Sequence, residues 1–270
     1  MDRREFDSLV QEYKERIAPL GIPVPLQVWY HIGYTRDFLD LLGVVQSFAP
    51  AGCRLLDFGS GLGFFSCVLA QAGFRARGVD LSMDQAVRVA RSTEDYADLE
   101  LRLERPGLLE ELYAALGERW PVELALYDGG TLPFGDGEFE AVVAHAVLEH
   151  VPESDLDPTL DELARVLAPG GHLFVFRTPR KGGWSEPLAG ALGIGHHENV
   201  WTEDGLAGLL ERHGLDAVMR DVADLMPDGA LALNPLLNAV EPVTRRLERA
   251  LLRTRMARFA NNMTLVVRKV

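Results

Sequence analysis

Acidic residues and glycines stand close together early in the chain. Asp57 lies two residues before the first glycine of the run Gly59-Ser60-Gly61-Leu62-Gly63, and Asp80 comes 17 residues after that run ends. Alternate glycines allow the backbone to turn tightly and to approach a ligand closely, whereas a simple turn needs fewer of them. Carboxylates accept hydrogen bonds from hydroxyl and amino groups. The spacing therefore predicts a site for a small ligand that carries such groups.

Hydrophobic periodicity places the glycine run between a strand and a helix. Residues 53–58 form a predicted strand, and a predicted helix from Phe64 to Ala72 ends at Gly73. Further strands are predicted at 75–80, 122–127, 139–145, 172–177, 215–222 and 263–269, with helices near 83–91, 107–118, 156–168 and 203–213. Strands that alternate with helices indicate βαβ units and a parallel sheet, so we predict a doubly wound α/β fold. Such folds bind ligands beyond the carboxyl ends of their strands.

The spacing of the glycines also bears on the kind of ligand. The dinucleotide fingerprint G-x-G-x-x-G/A needs a small sixth residue, but Phe64 occupies that position. Asp57 suits a ligand with an amino group and a positive centre better than it suits a pyrophosphate. An acidic residue followed by G-x-G-x-G resembles the first motif of the class I S-adenosylmethionine-dependent methyltransferases.

The resemblance extends over residues 53–178. Segments 132–143 and 147–151 are similar to the family's run through its fourth strand, and segment 165–171 is similar to its approach to the fifth strand. Glu140 departs from the pattern, because the family usually has Asp there. The resemblance implies a Rossmann-like, mostly parallel sheet of seven strands with an antiparallel last strand, and S-adenosylmethionine as the cofactor.

The resemblance also implies roles for individual residues. Asp80 would accept hydrogen bonds from both ribose hydroxyls, and Asp128 and Gly129 would contact the adenine. His145 would lie beside the methionine part of the cofactor. The predicted cofactor-binding residues are Asp57, Gly59, Ser60, Gly61, Gly63, Asp80, Leu81, Asp128, Gly129 and His145.

His145 is the candidate catalytic residue. Methyl transfer from a sulfonium is a direct displacement, so the protein mainly aligns the acceptor with the methyl group. A hydroxyl acceptor also loses a proton, and histidine is the usual base at neutral pH. We therefore interpret His145 as a base or a substrate contact, with packing beside the cofactor as the alternative.

Two further segments are candidates for the substrate pocket. They contribute Trp29, Tyr30, His196 and His197. Trp29 and Tyr30 also fit a plain hydrophobic core, which is where most such aromatic residues lie. The two adjacent histidines have no third ligand at a spacing that is typical of metal sites, so we predict no metal site.

The motifs that mark other acceptors are absent after the fourth strand. Residues 144–147 read Ala-His-Ala-Val, where the family's adenine and cytosine enzymes have Asn/Asp/Ser-Pro-Pro-aromatic and its catechol-type enzymes have acidic metal ligands. A small-molecule acceptor methylated at oxygen is the leading interpretation, with carbon and nitrogen left open. The alternatives are a protein that binds S-adenosylmethionine or S-adenosylhomocysteine without methyl transfer and, more distantly, a nicotinamide-dependent oxidoreductase.

The net charge and the hydropathy of the chain limit the classes of partner that it can bind. The chain has 270 residues and a formal net charge of −13, which argues against nucleic acid and against adhesion to an anionic membrane. No run of 18 apolar residues occurs, so we predict no membrane span. The charged N-terminus lacks an apolar signal core, which favours a cytoplasmic location.

Both ends of the chain are predicted to add to a central domain. We predict an N-terminal helical cap over residues 1–50 and a methyltransferase domain over 51–270, with 223–261 as a helical insertion before the last strand. Residues 241–270 carry a net charge of +6, which leaves −19 for residues 1–240. The six arginines of 241–260 indicate either a solvated helix or one that packs against a lid or the second subunit of a homodimer, and we expect them to attract an anionic substrate or an acidic surface.

Overall fold

A central sheet of seven strands organises the molecule. The computed structural model describes residues 1–21, 34–81, 107–185, 187, 199–225, 243 and 246–270. In chain order the strands are β1 Arg54–Phe58, β2 Arg75–Leu81, β3 Glu123–Tyr127, β4 Phe139–His145, β5 Leu167–Pro179, β6 Leu215–Ala223 and β7 Asn262–Lys269. The described α-helices with defined bounds are α1 Arg3–Ile17, α2 Tyr34–Phe48, α3 Phe64–Gln71, α4 Leu108–Gly117, α5 Glu153–Val166 and α6 Glu203–Glu211.

The strand order places a switch point in the middle of the sheet. The order is β3-β2-β1-β4-β5-β7-β6, with parallel pairs from β3 through β5 and antiparallel pairing of β7 with both β5 and β6. The predicted α/β fold with an antiparallel last strand is therefore confirmed. The chain reverses its winding direction between β1 and β4, which is where open α/β sheets bind their ligands.

Alternation along the strands builds a hydrophobic core on each face of the sheet. Leu55 of β1 belongs to one core and its neighbour Leu56 to the other, because successive strand residues point to opposite faces. Helices α1 to α4 contribute to the first core, and α5 and α6 contribute to the second. The two N-terminal helices thus share a core with the sheet, while the division into a cap and a main domain stays a prediction.

Two element starts differ from the sequence prediction by three or more residues. Helix α5 begins at Glu153 instead of 156, and β5 begins at Leu167 instead of 172. Gly170 and Gly171 separate the helix predicted near 156–168 from the strand predicted at 172–177. They lie instead inside β5, where the pairing with β4 shifts register between Phe139 and Ala141. An irregular pairing of this kind accommodates extra residues without ending a strand.

The connection between β6 and β7 is helical where it is described. Residues 246–252 form a helical segment, and a 3-10 helix follows at Arg255–Phe259. Val243 and Leu247 are exposed, and Arg249 contacts Asp40 of α2 at 3.1 Å. Within the described ranges, no helix is both long enough and apolar enough to cross a membrane.

Candidate active site

The glycine run forms a tight loop between β1 and α3. Gly59, Gly61 and Gly63 have φ values of +72°, +54° and +75°, a region that side chains disfavour. A Cβ atom on Gly59 would lie 2.4 Å from Cγ2 of Val147, and one on Gly63 would lie 2.8 Å from leucine methyl groups. Both the conformation and the lack of space therefore require glycine in this loop.

Two tyrosine hydroxyls from neighbouring helices form hydrogen bonds to the glycine loop. Tyr113 of α4 donates a hydrogen bond to the carbonyl of Gly61 at 2.8 Å and lies 3.2 Å from the hydroxyl of Ser60. Tyr13 of α1 donates to the carbonyl of Leu62 at 2.8 Å. Sequence analysis missed both tyrosines, because each lies about 50 residues from its partner along the chain and no local pattern marks it.

Asp57 is a buried carboxyl group at the end of β1. Its side chain is 2% exposed and accepts a hydrogen bond from the hydroxyl of Ser66 at 2.6 Å. Burial raises the pKa of Asp57 to about 7, and the nearby charge of Asp80 adds to the rise. The hydrogen bond from Ser66 lowers this pKa and so opposes the effect of burial. This carboxyl group is therefore held where its protonation changes close to neutral pH.

Asp80 ties the end of β2 to the glycine loop. Its Oδ2 accepts a hydrogen bond from the N–H of Gly61, and its Oδ1 accepts one from the N–H of Leu81 at 2.6 Å. Burial raises the pKa of Asp80, and these two backbone hydrogen bonds oppose the rise. Each carboxylate oxygen has a second lone pair, so Asp80 retains acceptor capacity for a ligand.

Asp128 and Gly129 follow β3 at the same edge of the sheet. Leu81 pairs with Tyr127, so the segment after β3 lies beside the end of β2. The exposed Asp128 accepts a hydrogen bond from the N–H of Gly130 at 3.0 Å, and Gly129 has a φ of +84°. This pair is thus adjacent to Asp80, where the sequence predicted it.

His145 ends β4 among aromatic rings. Its ring centroid lies 4.9 Å from that of Phe38 and 6.0 Å from that of Phe65. Desolvation lowers the pKa of His145 to about 3, and the positive charge of Arg177 contributes to the decrease. The imidazole is therefore neutral throughout the physiological pH range.

The ends of β4, β5 and β6 contain residues in unusual backbone conformations. Among the described residues, only Ala146, Arg177 and Asp224 are non-glycine residues with positive φ, at +53°, +55° and +62°. Arg177 forms an ion pair with Asp224 at 3.6 Å, and Asp224 also accepts a hydrogen bond from the side chain of Asn262 at 2.7 Å. No sequence pattern singled out this group of residues.

Comparison with known proteins identifies the domain. Residues 56–175 match a family model described as a methyltransferase domain. The ubiquinone biosynthesis O-methyltransferase of Aromatoleum aromaticum is 34% identical over 124 residues, which make up 46% of this chain and 43% of that protein. The arsenite methyltransferase of Aquipseudomonas alcaligenes is 36% identical over 132 residues, 47% of this chain and 34% of that protein. Residues 56–175 are therefore similar to a methyltransferase domain, in agreement with the class I S-adenosylmethionine-dependent family that the sequence resembles.

Solved structures share the fold of this methyltransferase domain. The 1,6-didemethyltoxoflavin-N1-methyltransferase of Burkholderia thailandensis, solved with bound 1,6-didemethyltoxoflavin and S-adenosylhomocysteine, superimposes with a TM-score of 0.56 at 15% identity, covering 100% of this chain and 91% of that one. The chain spans less than half of the length of the two curated relatives above. S-adenosylmethionine is the cofactor of a methyltransferase domain of this class, as the sequence predicted.

The methyltransferase domain brings most of the predicted site residues to one edge of its sheet. Those at the carboxyl ends of β1 to β4 are Asp57, Gly59, Ser60, Gly61, Gly63, Asp80, Leu81, Asp128, Gly129 and His145. The predicted substrate residues Trp29, Tyr30, His196 and His197 lie outside the described residues. In the part of the chain that is described, no group of three His, Cys, Asp or Glu side chains is arranged to hold a metal ion.

Proposed function

We propose that this protein transfers the methyl group of S-adenosylmethionine to an oxygen atom of a small-molecule acceptor. The observation that carries the proposal is the meeting of a buried carboxyl group, Asp57, a half-buried one, Asp80, and a glycine loop at the switch point of the sheet. Asp57 and Asp80 end neighbouring strands, and Asp80 contacts the loop through Gly61. A ligand with a positive centre and a pair of hydroxyl groups matches these donors and acceptors.

The residues at this edge fit the cofactor. The positive φ of Gly59, Gly61 and Gly63 gives the loop the tight turn at the end of β1 beside which a ligand would lie. In the proposed arrangement Asp80 accepts hydrogen bonds from the ribose hydroxyls, and Asp57 faces the positive part of the cofactor. Asp128 and Gly129 are the proposed adenine contacts, because they lie beside Asp80 and are accessible.

The chain contributes alignment more than chemistry to the proposed reaction. When bound, the cofactor would be held by the glycine loop, Asp57 and Asp80 and would supply an activated methyl group to the acceptor oxygen. A neutral thioether would be left, and the proton of the acceptor hydroxyl would pass to water. Holding the acceptor in line accounts for about 7–11 kcal/mol of barrier reduction in well-oriented systems. Phe38 and Phe65 lie beside His145 and would keep water away from the reacting atoms.

The environment of His145 favours one of its two predicted roles. Because its pKa is lowered to about 3, the imidazole is a weak base at neutral pH. We therefore propose that neutral His145 contacts the acceptor by packing or by hydrogen bonding and does not retain the acceptor's proton. At saturating cofactor, the rate should then show no titration near pH 6.5 that disappears in His145→Asn; such a titration would restore the general-base role.

The proposal that the acceptor is methylated at oxygen is based on the relatives and on the sequence that follows β4. A matched relative is a ubiquinone biosynthesis O-methyltransferase, whereas another acts, by its name, on arsenite. The Ala-His-Ala-Val segment at 144–147 lacks the motif of the amino-group enzymes. A low-molecular-weight acceptor is consistent with both relatives, and oxygen is the more specific part of the proposal. A homodimer and a cytoplasmic location stay predictions.

Two measurements test the proposed function. Calorimetry with S-adenosylmethionine, S-adenosylhomocysteine and NAD should give heat with the first two ligands, and tight binding of NAD alone would overturn the assignment. A metabolite extract incubated with a donor that carries an isotopically labelled methyl group should yield a labelled product whose mass spectrum places the methyl on oxygen. Label on nitrogen or carbon would correct the acceptor atom. Cofactor binding without any labelled product would instead favour the binding-protein alternative.

A further inference from the structure

Gly61, in the middle of the glycine loop, is held at both of its backbone groups. Its N–H donates to Oδ2 of Asp80, and its carbonyl accepts a hydrogen bond from the hydroxyl of Tyr113 at 2.8 Å. The carbonyl of the next residue, Leu62, accepts a hydrogen bond from the hydroxyl of Tyr13 at 2.8 Å. A glycine backbone has wide conformational freedom, so the shape of the loop at this point depends on these side chains.

The hydrogen bonds around Tyr113 run in one direction. A tyrosine hydroxyl has a single proton, and a carbonyl group can only accept one. Since the proton of Tyr113 goes to the carbonyl of Gly61, the hydroxyl of Ser60, 3.2 Å away, is the donor to the Tyr113 oxygen. Tyr113 thus connects the side chain of one loop residue with the backbone of the next and restrains both.

The hydrogen bond from Tyr13 lies in the protein interior. Tyr13 is 1% exposed and Leu62 is 5% exposed. A buried carbonyl group that loses its donor loses free energy, because no water takes the place of the donor. The carbonyl of Leu62 would therefore have to turn toward solvent if the Tyr13 hydroxyl were absent, and the loop would change its shape with it.

Helices α1 and α4, which carry the two tyrosines, are connected to each other. Arg16 of α1 donates to the carbonyl of Ala115 in α4 at 3.0 Å, and Arg119, just after α4, pairs with Glu12 of α1. Helix α4 belongs to residues 56–175, which match the family model, whereas α1 lies outside them. Part of the support of the glycine loop thus comes from a helix that the family model does not cover.

We propose that Tyr13 and Tyr113 are positioning residues whose hydroxyl groups keep the glycine loop in the conformation that binds S-adenosylmethionine. Neither side chain needs to touch the cofactor. Tyr113 acts through Gly61 on the arrangement of Asp80, and Tyr13 makes the N-terminal helix α1 part of the cofactor site. A loop that is already ordered has less conformational freedom to lose when a ligand binds, so its restraint raises affinity. This inference rests on the proposed role of the glycine loop in binding the cofactor.

The test measures cofactor affinity in variants that lack a single oxygen atom. Tyr13→Phe and Tyr113→Phe remove the hydroxyl groups but keep the rings, including the edge-on contact of Tyr13 with Phe64 at 5.0 Å between ring centroids. Calorimetry measures the affinity for S-adenosylmethionine and S-adenosylhomocysteine, and thermal unfolding measures stability separately. Each variant should bind both ligands about 2- to 12-fold more weakly, the range that corresponds to one hydrogen bond between neutral groups.

Arg119→Gln is the matched control for the attachment of the two helices. It removes the ion pair with Glu12, the neighbour of Tyr13 in α1, but leaves the hydrogen bonds to the loop in place. We expect a small loss of stability, as is usual for an exposed ion pair, and the same cofactor affinity as in the unaltered protein.

A double variant tests whether Tyr113 acts through Gly61. Tyr113 and Asp80 hold the two backbone groups of this residue, so their contributions to affinity should be coupled. In Tyr113→Phe combined with Asp80→Asn, we expect the loss of affinity to be smaller than the product of the two single losses by about twofold or more. A loss equal to that product would contradict positioning through Gly61.

The inference is overturned if the folded phenylalanine variants bind both ligands as tightly as the unaltered protein, because the two tyrosines would then support only the fold. It is also overturned if Arg119→Gln weakens binding as much as they do. If one variant does not fold, the other carries the test, and failure of both would show that the hydroxyl groups are required for folding and not for the cofactor. Failure of the proposed function is distinguishable, because the unaltered protein would then not bind S-adenosylmethionine.

Discussion

The carboxyl edge of the sheet has two halves that are built differently. At the ends of β1 to β3, positive φ falls only on glycines among the described residues, and the polar groups are Asp57, Asp80 and Asp128. At the ends of β4 to β6, positive φ also falls on Ala146 and on the two members of an ion pair. The first half obtains its shape at little conformational cost, whereas the second is held in a strained shape by its neighbours.

This difference matches the two tasks that we propose for the halves. A cofactor shared by a whole family can be bound by backbone and carboxylates in a fixed pattern, which glycines allow. In our proposal the acceptor is instead contacted by side chains near the end of β4, where the backbone is distorted at Ala146. Gly59→Ala in the first half should therefore reduce stability strongly, whereas Ala146→Gly in the second half should change it little.

The largest effect is expected for Gly59→Ala in the first half. The new methyl group would meet Val147 at 2.4 Å, and the φ of +72° would be strained. We expect a loss of about 2–5 kcal/mol in the free energy of unfolding, from left-handed strain and overpacking together. Urea denaturation measures this loss, and calorimetry should show S-adenosylmethionine affinity falling with it.

Gly214→Ala provides the matched control for Gly59→Ala. Gly214 has nearly the same φ, +73°, but a Cβ there would meet nothing within 4 Å. Only the backbone strain remains, so we expect a loss of about 1–2 kcal/mol and unchanged cofactor affinity. Equal losses at the two positions would show that Val147 moves aside and that the loop has no steric requirement for glycine.

Asp80→Asn should give the next largest effect, on cofactor affinity. The amide keeps one acceptor oxygen but loses the charge and one of the two acceptors that now hold Gly61 and Leu81. We expect binding of S-adenosylmethionine to weaken by about 10- to 150-fold, the scale of charge-assisted hydrogen bonds. Calorimetry measures the affinity, and thermal unfolding shows whether the loop has remained folded. Unchanged affinity in a folded variant would remove Asp80 from the cofactor site.

Asp57 should make cofactor binding depend on pH. Its pKa is raised to about 7, so the free protein is partly protonated there at neutral pH. A positively charged ligand favours the carboxylate, so binding releases a proton. The affinity for S-adenosylmethionine should rise by at most tenfold per pH unit up to about pH 7 through the titration of Asp57, and it should level off above that pH. Any contribution from the titration of Asp80 has the same sign.

Asp57→Asn tests the assignment of this pH dependence. An amide does not titrate, so the variant should bind more weakly at pH 8 and should lose the part of the slope below pH 7 that belongs to Asp57. The experiment uses calorimetry in buffers of different ionisation enthalpy, which also counts the released protons. An unaltered slope in the variant would assign the titration to another group.

The fold and the first half of the edge were predictable from the sequence. Glycines at 59, 61 and 63 are required by positive φ, and a required residue type leaves a pattern that can be recognised. The strands could be recognised in the sequence because their residues alternate between two hydrophobic cores. The boundary error at β5 arose because Gly170 and Gly171, which usually end an element, lie inside an irregular strand.

The second half of the edge was predictable only at His145. Arg177 acquires its position from a bulge, and nothing in the local sequence specifies which residue of β5 is bulged. Its partner Asp224 lies 47 residues further along the chain, at the end of another strand. Tyr13 and Tyr113 were missed for the same reason, since their contacts with the loop are tertiary. Sequence patterns report local requirements, whereas these contacts depend on the assembled sheet.

The smallest effect is expected for Ala146→Gly in the second half. Glycine relieves the strain at a φ of +53° but adds freedom to the unfolded chain, and these terms nearly cancel, leaving a gain in stability below about 1 kcal/mol. The N–H of residue 146 still donates to Phe176, so cofactor affinity should not change. Since the backbone that follows His145 becomes less restrained, we expect the KM for the acceptor to rise. A stability loss as large as that of Gly59→Ala would mean that the two halves do not differ in strain, because the alanine methyl group would then be essential packing.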